Sequence, residues 1–228
     1  MKTIGLIGGM SWESTAQYYA LINRETAKRR GGLHSAPILL DSLDFAEIEA
    51  LQTQGDWGRA GEHLAASAER LEAAGAQMLV LATNTMHVVA QSIEAAISVP
   101  FLHIADPTAD ALIEDGAERV GLLGTRFTME MDFYKDRLRL RGLDPIVPEV
   151  DRTNLDGIIY NELCRGIVND TSRSIYRTAI ERLGARGAQA VVLGCTELGL
   201  LISDDDSPLP LYDTTALHAK AAVEQALR

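Results

Sequence analysis

The sequence has no apolar run longer than a strand, only two cysteines, four lysines and 5% aromatic residues. Each scarcity removes a class of protein. Without a stretch of about 20 apolar residues, no transmembrane helix is expected. Cys164 and Cys195 are too few for a disulfide framework and lack zinc-ligand spacing, so two free thiols in a reducing compartment are expected. The strand pattern that opens within MKTIGLIGG leaves no room for a signal peptide ahead of it, and a cytoplasmic location is the expectation. None of Lys2, Lys28, Lys135 and Lys220 sits in a phosphate-binding glycine loop at a strand end, which argues against a pyridoxal Schiff base. Basic residues are outnumbered, 21 against 32 acidic, and the net charge of −11 argues against nucleic acid or an anionic membrane as partner. The five histidines show no ligand spacing, so no metal is expected.

What remains is a chain of 228 residues, ordinary in its apolar and charged content. That length suits one large domain or two small lobes of about 100 residues. Short apolar runs at Thr3–Ile7, Ala36–Leu43, Met78–Leu81, Phe101–Ile104, Arg119–Leu123, Ile146–Pro148, Val191–Leu193 and Leu209–Tyr212 read as strands. Helical patterns lie between them, at Thr15–Arg30, Trp57–Ala73, Asn84–Ile97, Thr128–Arg141, Asp151–Val168 and Thr171–Arg186. This alternation predicts parallel α/β architecture.

The chain also says things twice. Ile4-Gly5-Leu6-Ile7-Gly8 resembles Val120-Gly121-Leu122-Leu123-Gly124, 116 positions on (4 to 120). Gly75-Ala76-Gln77 returns as Gly187-Ala188-Gln189, 112 positions on (75 to 187), and that offset lays Thr83 over Cys195. Ala105-Asp106-Pro107-Thr108 has an echo in Tyr212-Asp213-Thr214-Thr215. Three matches in one order predict two homologous αβ lobes related by a pseudo-twofold axis. The expected lobes are residues 1–98 with about 210–228, and residues 99–209. Ligands of open α/β sheets sit beyond the carboxyl ends of strands. Facing lobes are therefore expected to gather Gly8–Ser11, Thr83–Thr85, Thr125 and Cys195–Glu197 around one cleft.

Within that set, Cys195 ends a buried strand where a loop begins, a place for either an inert core thiol or a nucleophile. Thr83 is either a cap for the helix near Asn84 or a proton carrier. Asn84, Thr85 and Thr196 stand at helix starts, suited to capping or to holding a carboxylate. Met10 and Ser11 follow Gly8-Gly9, where backbone can approach a ligand, but GLIGG is no dinucleotide fingerprint. Thr125 is the second-lobe counterpart of that loop. Glu197 is placed to hold an amino group or to tune the thiol, and His87 to orient Thr83 from one helical turn away. Cys164 and His103 read as core residues, His63 as a solvated one, and His218 as either packing or bordering the cleft. Arg126 and Arg165 are the candidates to anchor a second carboxylate.

GLIGGMSWEST, NTMH, GCTE and DTTALHAKAAV together resemble the aspartate/glutamate racemase family, over almost the whole chain. The resemblance implies two four-stranded parallel lobes, a homodimer, and an active site between lobes that needs no pyridoxal phosphate or other cofactor. It also implies two cysteines, one per lobe, working on opposite faces of an amino acid, and a place for Gln52 in the substrate pocket. Gln52's own context, EIEALQTQGDW, reads as a polar loop. Here the first cysteine is Thr83. A hydroxyl is a far weaker acid than a thiol, so it is a poor base yet can still deliver a proton. The expectation is a lopsided racemase of aspartate, glutamate or similar amino acids. Cys195 abstracts, from the L enantiomer by family resemblance, and Thr83 donates. Helix N-termini after each strand are expected to favour the thiolate. Two other functions fit the same residues: a decarboxylase or maleate-type cis–trans isomerase using Cys195 alone, and a non-catalytic amino-acid binder.

Overall fold

Ile4–Gly8 (β1) is buried at all five positions, as a central parallel strand covered on both faces must be. In the computed structural model, which describes residues 1–228, it pairs in parallel with Ile38–Ser42 (β2) and Met78–Leu81 (β3). Phe101–Leu102 (β4) completes a sheet of order β2-β1-β3-β4. Arg119–Gly124 (β5), Asp144–Ile146 (β6), Ala190–Gly194 (β7) and Leu211–Asp213 (β8) form a second sheet, β6-β5-β7-β8. All its pairings are parallel too. The two orders are the same order, so the internal repeat in the sequence is a repeat of topology.

The helices are Trp12–Arg30 (α1), Phe45–Gln54 (α2), Trp57–Ala73 (α3), Ala90–Ala96 (α4), Ala105–Glu114 (α5), Arg126–Glu130 (α6), Asp132–Leu140 (α7), Arg152–Asn161 (α8), Asp170–Ala185 (α9), Leu198–Leu201 (α10) and Thr214–Leu227 (α11). No helix is long and apolar enough to cross a membrane. Two compact units result, Met1–Ile104 with His218–Arg228, and Ala105–Leu217. The crossings at 104/105 and 217/218 fall several residues later than the 98/99 and 209/210 of the sequence reading. The physical reason is strand pairing: β4 bonds to β3 and so stays with the first sheet, while β8 bonds to β7 and stays with the second.

The repeated Gly-Ala-Gln has a structural cause in each unit. Gly75 and Gly187 take φ of 101° and 89°, a left-handed turn that ends the preceding helix without a Cβ penalty. Ala76 and Ala188 are then buried, and the glutamine ties the new strand to the first one. Gln77 Oε1 accepts the Thr3 N–H at 3.0 Å, and Gln189 Oε1 accepts those of Glu118 and Arg119 at 2.7 and 3.0 Å. The helices they follow are matched as well. α3 buries Ala60, Leu64, Ala68 and Leu71, and α9 buries Tyr176, Ala179, Ile180 and Leu183, both at helical spacing. Each fully buried Leu or Ile in these faces contributes about 1.5–3 kcal/mol.

The long helical patterns are broken where periodicity alone cannot see it. Asn84–Ile97 is a 3-10 turn, Thr85–Val89, followed by α4. Thr128–Arg141 splits into α6 and α7 at Met131, whose ψ of 157° is extended. Asp151–Val168 ends at Asn161 and continues as the 3-10 turn Leu163–Arg165, where half-buried Cys164 lies rather than in a helix core. α1 begins at Trp12, earlier than Thr15, because Ser11 caps it. Gln52 is not in a loop but is a buried residue of α2.

Candidate active site

Each unit carries a cluster at the carboxyl ends of its two central strands. In the first, Gly9 has φ of 93°, and a Cβ there would lie 2.1 Å from the Leu43 carbonyl oxygen. Only glycine fits. The chain then passes buried Met10 and Ser11 into α1 through a cis Met10–Ser11 bond. Ser11 Oγ accepts the Ser14 N–H at 3.3 Å, an N-cap, and Thr15 Oγ1 both accepts the Gly9 N–H and donates to the Ser11 carbonyl, each at 2.8 Å. The loop is thereby held in one shape.

Beside it, β3 runs out through Ala82 to Thr83, which is 7% exposed. Thr83 does not cap the following turn: Asn84 stands at the cap position and its side chain makes no capping bond. Instead His87 folds back. Its Nδ1 donates to the Thr83 carbonyl at 2.7 Å, and its Nε2 lies 3.2 Å from the Ile104 N–H and accepts it. A carbonyl only accepts and an amide only donates, so this pair of bonds selects the neutral Nδ1–H tautomer. Buried His103 stacks edge-on against His87 at 4.4 Å between centroids. Gln52 reaches the same turn from α2, its Nε2 2.9 Å from Met86 Sδ. His218 is fully buried, with Nδ1 2.8 Å from the Tyr18 hydroxyl and Nε2 2.9 Å from the Leu102 carbonyl, so it packs this unit.

In the second unit, β5 ends at Gly124 and Thr125 caps α6, its Oγ1 accepting the Thr128 N–H at 3.2 Å. The next N–H, of Arg126, donates to Asp156 Oδ1 at 2.6 Å, and burial pushes the Asp156 carboxyl up while this bond opposes it. β7 ends at Gly194, and Cys195, 6% exposed, follows. The Cys195 thiol donates to Glu197 Oε2 at 3.0 Å, and the Thr196 hydroxyl donates to the same oxygen at 2.7 Å. Glu197 is 3% exposed. Thr214 clamps the strand end by donating to the Leu193 carbonyl at 2.8 Å.

The expectation that a helix N-terminus favours the Cys195 thiolate is not met. Burial first, then the Glu197 carboxylate, push this thiol well above its ordinary range. The helix that follows, α10, is only four residues long, too short a dipole to offset them. Cys195 rests as a thiol.

Met10, Ser11, Gln52, Thr83, Asn84 and Thr85 thus gather in the first unit, and Thr125, Cys195, Thr196 and Glu197 in the second. Arg126 and Arg165 are both exposed, and His63 is exposed on α3. Asp156 escaped sequence reasoning because its bond to the Arg126 N–H joins residues 30 apart. Asp213, whose Oδ1 accepts the Thr215 N–H at 2.8 Å to cap α11, was signalled by the repeat but not by its chemistry. A groove of about 400 Å³ lined by Leu155, Ile175, Leu183 and Arg182 holds none of the candidate residues.

Comparison with known proteins converges on one family. Residues 7–222 match the model of the Asp/Glu/Hydantoin racemase family. A broad specificity amino-acid racemase, RacX, of Bacillus subtilis (strain 168) is 28% identical over 160 residues, 70% of this chain and 69% of that one. A structure from Yersinia pestis assigned to the Asp/Glu racemases is 51% identical, with a TM-score of 0.93 and full coverage of both chains. An aspartate racemase homologue from Pyrococcus horikoshii OT3 is 32% identical, with a TM-score of 0.85 over the whole of both. The chain therefore belongs to the Asp/Glu/Hydantoin racemase family, and it is an isomerase of the racemase type.

Proposed function

We propose that the protein racemises aspartate, glutamate or amino acids of similar size without a cofactor, Cys195 removing the α-proton of the L enantiomer and Thr83 delivering a proton to the opposite face. The observation that carries this reading is positional. Thr83 follows β3 and Cys195 follows β7, the corresponding strands of two sheets with one order. Inverting a stereocentre needs a base on one face and an acid on the other, which such a repeat is suited to supply. Around the substrate we assign Met10, Ser11, Gln52, Asn84 and Thr85 from the first unit and Thr125, Thr196 and Glu197 from the second. The name of the Bacillus subtilis relative supports a wide substrate range.

Incubating a panel of L-amino acids in deuterium oxide and following loss of the α-proton tests the reading. Loss is expected for acidic members first and is to fall by about 10²–10⁴-fold with Cys195→Ala; a panel with no exchange at all would sink it. Thr83, an alcohol where the resemblance implies a thiol, favours a second reading in which Cys195 works alone. Release of carbon dioxide from a malonate-type substrate, with no α-proton exchange, would select that one.

A further inference from the structure

A racemase needs Cys195 as a base, and both burial and its neighbour Glu197 oppose ionisation. Glu197 on its own turn and Cys164 on the turn Leu163–Arg165 both raise it after burial, and Tyr176 on α9 is itself raised by Cys195. All three are acids. Yet the thiol proton already points at a carboxylate oxygen 3.0 Å away, and that oxygen is fixed from the other side by the Thr196 hydroxyl at 2.7 Å. Cys195, Thr196 and Glu197 are all buried, so the carboxylate is a nearer acceptor for the thiol proton than bulk solvent.

We propose that Glu197 is a catalytic residue that takes and stores the Cys195 proton, so that the sulfur becomes a base by transfer within the pair rather than by ionising into solvent. This rests on the racemase reading and deepens it. In the forward direction the S–H bond breaks as an O–H bond forms on Glu197 Oε2, leaving thiolate beside carboxylic acid. The thiolate takes the α-proton, and Cys195 is again a thiol. The carbanion takes the proton of the Thr83 hydroxyl on its other face, and the Thr83 oxygen is left with the negative charge. Water returns a proton to Thr83, and Glu197 releases its stored proton to the hydroxide so formed. Each bond made has one broken against it. Two cysteines could exchange roles between turnovers; a cysteine and a threonine cannot, so each turnover must begin with the thiol proton passing to a partner.

The pair makes a distinctive pH signature. Thiolate with carboxylic acid and thiol with carboxylate hold the same number of protons, so the reactive form has a population independent of pH between the two titrations. Alkylation of Cys195 by iodoacetamide, followed by mass spectrometry in a Cys164→Ser background, reads that population without substrate. Exchange of the α-proton of saturating L-aspartate in deuterium oxide reads it with substrate. Both rates are expected flat from about pH 6 to 8 with Glu197 present. In Glu197→Gln, both should climb about tenfold per pH unit, as loss of a proton to solvent requires. Thr196→Val removes a donor from the carboxylate, makes it a better proton acceptor and should raise the flat alkylation rate severalfold. This variant carries the test if the glutamine variant does not fold. A climbing rate in the parent protein, a flat one in Glu197→Gln, or a slower one in Thr196→Val overturns the proposal. Flat alkylation with no exchange of any amino acid would fail the racemase reading alone; exchange with climbing alkylation would fail the pair alone.

Discussion

In the first unit the chain leaves β3 through Thr83 into a turn closed by a neutral histidine. In the second it leaves β7 through Cys195 into a turn closed by a carboxylate. The strands, their order and the Gly-Ala-Gln before each are shared. The duplicated part is thus the scaffold, and the part that has diverged is the electrostatics of one turn. Residues Asn84–Val89 contain no acid at all, whereas the Cys195 turn places Glu197 two residues on. A donor alcohol does its work neutral and needs no partner to ionise it; a thiol meant as a base needs somewhere to send its proton.

Breaking the two ends separately should show that they are not equivalent. Cys195→Ala is expected to lower α-proton exchange by about 10²–10⁴-fold, the range for removing a general base, in the deuterium oxide assay. Thr83→Ala should lower inversion by about 10²-fold while exchange with retention persists for the L enantiomer, because Cys195 can return what it removes. Chiral chromatography alongside mass shift separates the two outcomes, and equal loss of both would erase the distinction between the ends. Thr83→Cys sharpens the comparison the other way. A second thiol should raise kcat for exchange of the D enantiomer. The free enantiomers have equal energy, so kcat/KM must remain equal in the two directions, and only kcat and KM taken singly can differ.

The neutral end depends on its histidine for shape. His87→Phe would leave the buried Thr83 carbonyl and Ile104 N–H without the partners they now have. Each orphaned group costs about 1–3 kcal/mol, so a loss of about 2–6 kcal/mol is expected in urea unfolding, with inversion reduced at the same time. Unchanged stability would mean that the ring is not what holds the turn.

The acidic end should also be visible in stability against pH. The Cys195 thiol is raised in the folded state, so its contribution is intact below the ordinary thiol range near 8.5 and is lost as pH rises through the folded value. Wild type is expected to lose up to about 1.4 kcal/mol per pH unit relative to Cys195→Ser above that range. The first unit has no buried thiol to add a like slope. Parallel curves for the two proteins would show that the thiol is not raised.

How much of this was legible in the residues follows the same division. The scaffold was: strand runs, the repeat and the α/β class all come from apolar period and short echoes, because burial on both faces leaves a continuous signal in β1 and β3. The single-residue events were not. Met131 breaks α6 from α7 by one extended residue that changes no period, and α2 was passed over because EIEALQTQ carries more polar than apolar side chains. Site chemistry was legible as residue types and not as bonds. GCTE announced a thiol and an acid, yet whether Glu197 faces the thiol or a substrate amine is set by χ angles that no spacing reports. His87 was legible to the extent that its i,i+4 distance to Thr83 is a helical one. Its second bond, to Ile104, crosses 17 positions and was not.

The smallest predicted difference concerns the loops that begin each unit. Ser11 caps a helix of 19 residues and Thr125 caps one of five, and each accepts a backbone N–H three residues on. Losing such a cap costs about 1 kcal/mol in either place. The neighbours differ, however. Ser11 is one strand of a knot in which Thr15 already ties the Gly9 N–H to the Ser11 carbonyl, so the α1 start survives in part without the serine hydroxyl. Thr125 Oγ1 also meets Thr128 Oγ1 at 3.2 Å, so its removal leaves a second buried hydroxyl short of a contact. Ser11→Ala should therefore cost a few tenths of a kcal/mol less than Thr125→Ala in matched urea titrations, and the reverse order would show that the knot around Gly9 depends on the serine hydroxyl rather than on Thr15.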